Sequence, residues 1–86
     1  MIDFTKDERN AIGEFVFSFQ TDVLIISDAT RLVDVLSRHE LITDKENWHK
    51  RITAQDSKVC RELFDLCQTH IPNEQGKLIM DEYYKG

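Results

Sequence analysis

An all-α bundle of five to six short helices is the fold class this sequence predicts, and three observations carry it. The apolar residues recur at helical spacing in almost every segment, and no segment alternates in twos for more than a few residues. Thr/Glu pairs three apart, the signature of a capping box, stand before two of the apolar stripes. A single proline and three glycines leave little chain for loops, so consecutive helices should pack antiparallel or at steep angles around one core. The 86 residues make one domain, 1–86, with 41% hydrophobic residues to fill its interior.

Thr5-Lys6-Asp7-Glu8 opens the first helix, whose inner face reads Ala11, Ile12, Phe15, Val16 and Phe19. Val23-Leu24-Ile25-Ile26 is β-branched but isolated, and is read as a kinked continuation of that helix. Ser27 or Asp28 caps the second helix, which turns Ala29, Leu32, Val33 and Leu36 inward and runs to Arg38. Thr43 with Glu46 forms the second capping box, so a third helix should start at Thr43 and bury Trp48 and Ile52 one turn apart. The fourth runs from about Asp56 to His70 with Val59, Cys60, Leu63, Phe64, Cys67 and Ile71 on one stripe. Pro72 ends it, and Asn73 caps a fifth helix that passes through Leu78, Ile79 and Tyr83 to Lys85. Trp48, Leu36, Leu63 and Phe64 are the expected large core residues.

Charge is unevenly spread along the chain. The net charge is −5, yet residues 45–61 hold two acids and five bases, a net of +3, between acidic stretches of −5 (1–44) and −4 (62–82). An acidic overall balance argues against nucleic-acid binding, which needs a broad positive face; Lys50-Arg51 beside Trp48 reads as a solvated pair next to a core anchor. No apolar run approaches the length of a membrane span, and MIDFTKDERN lacks the layout of a secretory signal, so a cytoplasmic protein is expected. Cys60 and Cys67 are about 10 Å apart along one helix, too far for a disulfide, and should be free thiols.

Cys60, Cys67 and His70 lack the close ligand pairing of structural zinc sites, so no metal and no cofactor is expected. His39, His49 and His70 have no nucleophile or carboxylate at a recognisable spacing, and an enzyme is not expected.

The order of helices and their residues resembles the caspase-recruitment domain, a branch of the death-domain superfamily. The matching positions are Leu32-Val33-Asp34-Val35-Leu36, Leu41-Ile42-Thr43 with Glu46, Ile52, Lys58, Arg61, Leu63-Phe64-Asp65-Leu66 and the helix after Pro72 ending at Tyr84. His39 and Glu40 stand where that family often has a glycine, and the sixth helix is reduced to a remnant. The resemblance implies a Greek-key bundle with a kinked first helix and homotypic binding of another death-fold domain in apoptotic or innate-immune signalling. It also implies an acidic face of Asp28, Asp34 and Asp44, with Glu40 beside them. The basic face it implies is Lys58 and Arg61, with Arg51 nearby and Arg9 less central. The separated charge bands suit head-to-tail docking of two such copies. The rival from another class is a small acidic inhibitor or immunity protein that masks a basic enzyme surface.

Overall fold

The computed structural model describes residues 1–23 and 26–86. Five helices follow one another, α1 (Lys6–Gln20), α2 (Ile26–Arg38), α3 (Lys45–Thr53), α4 (Val59–His70) and α5 (Asn73–Lys85). The all-α bundle is therefore the observed architecture, with no strand among the described residues.

The first capping box forms as its sequence demands. The Glu8 amide donates to Thr5 Oγ1 at 3.2 Å, and the Thr5 amide donates to Glu8 Oε1 at 2.9 Å. Five expected boundaries differ. α1 ends at Gln20: Asp22 takes a positive φ of 62° and Val23 stands outside any helix, so the kinked continuation does not run on from α1. Leu24 and Ile25, the middle of that expected continuation, lie outside the described residues. α2 begins at Ile26, which puts Ser27 and Asp28 inside its first turn instead of at the cap. The Thr43/Glu46 box does not form, because α3 starts at Lys45 with Asp44 at the cap position and no side-chain cap bond. The fourth helix starts later than expected, at Val59, and Asn73 is the first residue of α5 after Pro72 at its cap position.

Side-chain pairs give the directions of packing. Glu8 meets Arg38, Glu14 meets Arg31 and Ser18 meets Asp28, so α1 and α2 run antiparallel. The C-terminal end of α5 packs on the middle of α1, where Arg9 meets Glu82, and Phe17 meets Tyr83 and Tyr84. That pairing is close because Gly13 has no side chain: a Cβ there would sit 2.8 Å from Tyr83 Cβ.

The core is one cluster drawn from all five helices, with Phe15, Leu32, Leu36, Leu63 and Ile79 almost fully enclosed. Phe15 and Phe19 stack at 6.3 Å, and Phe19 stacks on Phe64 at 4.5 Å, forming an aromatic column from α1 to α4. Leu36 and Leu63 are buried as expected, whereas Trp48 and Phe64 are half-buried and pack against the cluster from its edge. Glu40 takes φ 58°, the left-handed conformation that glycine adopts without strain, to turn the chain from α2 toward α3.

Cys60 and Cys67 are free thiols. Burial pushes the Cys67 thiol up to about 12 and raises the half-buried Cys60 less far. Alkylation of the native protein at pH 8 should therefore modify Cys60 first and leave Cys67 unreacted until the chain opens. Peptide mapping of a time course checks this, and equal labelling of both thiols would contradict the packing of α4.

Candidate functional site

The six charged residues singled out from the sequence do not form two free faces. Asp28 is 6% exposed and its Oδ2 accepts from Ser18 Oγ at 3.1 Å. Its carboxylate lies inside the α1–α2 contact near the start of α2, so it is not presented to a partner. Asp34 is half-buried: its Oδ1 lies 3.2 Å from Lys45 Nζ and 3.2 Å from His49 Nε2. This cluster ties α2 to α3. Asp44 is exposed at the start of α3, and no cation pairs with it among the described residues.

The basic residues divide in the same way. Arg51 donates from Nε to Asp56 Oδ2 at 2.9 Å and from its terminal nitrogens to Glu62, while its guanidinium lies 5.0 Å from the centre of the Trp48 ring. The Glu62 and Asp56 bonds hold the guanidinium charge even more firmly than usual. Arg51 is thus a clamp between α3 and α4. Lys58 is exposed, and among the described residues no carboxylate pairs with its ammonium. Arg61 is 74% exposed and only loosely paired, 3.8 Å from an equally open Asp65.

Asp56 was expected to open α4 and instead organises the turn before it. Its Oδ1 accepts from the Lys58 amide at 2.9 Å while Oδ2 holds Arg51. An aspartate two residues before a free backbone N–H is the signal that could have found it. These bonds, from the Lys58 amide first and Arg51 second, hold the Asp56 carboxyl below the usual range.

Asp3, Lys6, Asp7, Asp22, Glu74, Lys77, Asp81 and Lys85 are exposed without an ion pair on other parts of the described surface, and a second group surrounds α3. Asp44 and Glu46 stand at its start, next to Glu40 at the end of α2, and all three are exposed and unpaired among the described residues. Lys50 is exposed in its last turn, and Lys58 and Arg61 follow at the start of α4. Glu46 and Lys50 are four residues apart, about 6 Å along the α3 axis and on one face, and Lys58 and Arg61 lie beyond the far end of α3.

Glu8 is a charged group the sequence pattern placed in a cap and nothing more. It is 5% exposed and takes contacts from Arg38 Nη1 at 3.2 Å and His39 Nε2 at 3.0 Å, besides the Thr5 amide. Burial alone would raise its carboxyl, but the Thr5 and His39 contacts outweigh this and hold it below the usual range. Glu62 and Glu82 are lowered too, chiefly by hydrogen bonds from Arg51 and Arg9 respectively. A carboxyl lowered in the folded state stabilises the fold above its unfolded pKa, and that stability is lost as pH falls through the folded value. Thermal melts should accordingly be level near neutrality and fall steeply below about pH 4, and Glu8→Gln should flatten part of that fall.

The surface clefts are shallow. One lies among α1, α4 and α5, with Ile12, Val16, Cys67, Ile71 and Met80 among its lining residues. Among the described residues, no three His, Cys, Asp or Glu side chains converge where a metal could sit, and no helix is long and apolar enough to cross a membrane.

No protein family, curated protein or solved structure matches this chain. The functional reading therefore rests on the surface itself and on the resemblance of the residues.

Proposed function

We propose that this domain is a protein-interaction module that docks head to tail onto another helical domain of its own kind, in the manner of a caspase-recruitment domain. The setting implied by that resemblance is assembly of an apoptotic or innate-immune signalling complex. One observation carries the reading: around α3, the exposed acids and bases that are not held in a close ion pair separate by sign. Glu40, Asp44 and Glu46 are at one end, Lys50, Lys58 and Arg61 at the other. Opposed patches on one surface are self-complementary between copies, and such a heterologous contact propagates into a ring or a filament. Arg51, Asp28 and Asp34 act behind this surface, fixing the helices that carry it.

The rival reading, a small acidic protein that masks a basic enzyme surface, is favoured by the excess of acid in the chain as a whole, a net of −5.

Arg61→Glu tests the proposal. Arg61 is open and its pair with Asp65 is loose, so the melting temperature should move by no more than about 3 °C. Association with a like domain should fall roughly tenfold, and Asp44→Lys in the partner copy should recover part of the loss. Unchanged association in Arg61→Glu would remove the basic corner from the interface.

A further inference from the structure

Three aromatic rings meet at the surface where the C-terminal end of α5 packs on α1. Between ring centroids, Phe17 lies 5.8 Å from Tyr83 and 6.0 Å from Tyr84, and Tyr83 lies 5.9 Å from Tyr84. Their planes are inclined to one another by 42°, 76° and 68°, so the three rings do not form a stack. Phe17 is 38% exposed and Tyr84 60%, while Tyr83 is half-buried. The Tyr83 side chain is seated on Gly13, where its Cβ and Cγ take the space that a side chain would need. The group is therefore fixed to α1 before anything binds. Among the described residues one cation of the chain lies over an aromatic ring, Arg51 over Trp48, and none lies over these three.

The electrostatic field at the rings is negative. Burial first, then the charges of Glu14 and Asp28, push the Tyr83 phenol above its usual range. A potential that resists a phenolate attracts a cation. Glu14 is partly offset by Arg31 at 3.0 Å. Asp28 has the Ser18 hydroxyl as its side-chain partner, and among the described residues no cation pairs with it. Its charge is enclosed, so salt screens it less than a surface charge. Asp81, one turn before Tyr84 on α5, is exposed without an ion pair.

We propose that Phe17, Tyr83 and Tyr84 form a recognition site for a methylated lysine side chain of another protein. A point about 3 Å above the plane of the three centroids lies roughly 4.5 Å from each, inside the ~6 Å reach of a cation–π contact. Ring faces accept no strong hydrogen bond. A plain ammonium or guanidinium placed there leaves N–H donors without the partners that water gave them. A trimethylated ammonium has no N–H to leave unmet. The other common carrier of that group is a choline lipid, whose phosphate stands beside its ammonium. The charges of Glu14, Asp28 and Asp81 repel that phosphate, which favours a protein side chain. The site lies on α1 and α5, apart from α3, and does not depend on head-to-tail docking.

NMR titration of the isotope-labelled whole chain tests it. The probe peptide acetyl-Gly-trimethyllysyl-Gly-amide, at millimolar concentration, should shift the Phe17, Tyr83 and Tyr84 ring resonances along a saturable curve. The same peptide with unmodified lysine should bind at least about threefold more weakly. Tyr84→Leu should weaken the methylated peptide about two- to fivefold, the worth of one exposed cation–π contact, whereas Tyr84→Phe should keep it. Rings that ignore the methylated peptide would overturn the proposal, as would equal affinity for the two peptides or undiminished binding by Tyr84→Leu. Phosphatidylcholine vesicles that carry the chain down, with no response to the peptide, would overturn a protein partner in favour of a lipid headgroup. Should Tyr84→Leu fail to fold, the two peptides on wild type still decide.

Discussion

Phe15→Ala should leave the domain close to unfolding at room temperature. The ring is fully enclosed and begins the aromatic column that continues through Phe19 to Phe64. Truncating a buried phenylalanine removes its transfer free energy and leaves a cavity, together costing about 3–5 kcal/mol. A domain has about 5–15 kcal/mol of stability in all. The melting temperature should fall by roughly 15–30 °C at this chain length. Phe64→Ala should cost less, because that ring is half-buried and closes the column from outside. Calorimetry of both variants gives the order. A larger loss in Phe64→Ala would mean that the column is anchored in α4 instead of α1.

Gly13→Val should separate α5 from α1. The first added carbon already falls 2.8 Å from Tyr83 Cβ and 2.9 Å from Cγ, atoms too near the α5 backbone to swing aside. Overpacking of a core commonly costs about 1–3 kcal/mol, and valine adds two further methyls to that contact. Gly76→Ala is the opposite case in the same helix pair. Nothing lies within 4 Å of the Cβ it would add, so it should stabilise α5 by about 0.5–1 kcal/mol. The two glycines are indistinguishable by propensity, and urea titration of both variants separates close approach from mere helix weakening. Destabilisation by both would show that backbone entropy is not the controlling effect at residue 76.

The fold was legible wherever local chemistry alone decides. The Thr5–Glu8 box needs only four consecutive residues and an apolar stripe behind it, and it forms. The α1, α2 and α4 stripes gave the core because burial follows helical period. The Thr43–Glu46 pattern has the same letters and fails. There the chain leaves Glu40 in a left-handed turn, and Lys45 is drawn to Asp34 across the α2–α3 contact, so the helix begins at Lys45. The close packing of α5 on α1 was not legible, because it depends on one missing side chain at Gly13 meeting one residue 70 positions away.

The candidate surface was legible as charge and illegible as availability. Summing residues 45–61 correctly finds an excess of bases. It cannot see that Arg51 is held between Asp56 and Glu62, or that Asp28 faces Ser18 inside the bundle. Those pairings join different helices, or a helix and the turn after it, and exist only once the chain has folded. Lys58, Arg61 and Asp44 remain on the surface because each sits at a helix end or on an outward face, where Lys58 and Asp44 have no ion-pair partner among the described residues and Arg61 has only the loose one of Asp65. Gln75, by contrast, gives no sign in sequence that it is buried against the backbone of Ile2.

Sedimentation of the wild-type chain across protein and salt concentration tests the central claim most directly. Docking of the acidic end of α3 on the basic corner of another copy predicts a mean mass that rises with protein concentration at low salt. The mass should fall back toward the monomer as ionic strength passes physiological values, where the Debye length is about 8 Å. A chain that stays monomeric at every concentration and salt, and binds no like domain offered to it, would contradict head-to-tail docking and favour the acidic-inhibitor reading.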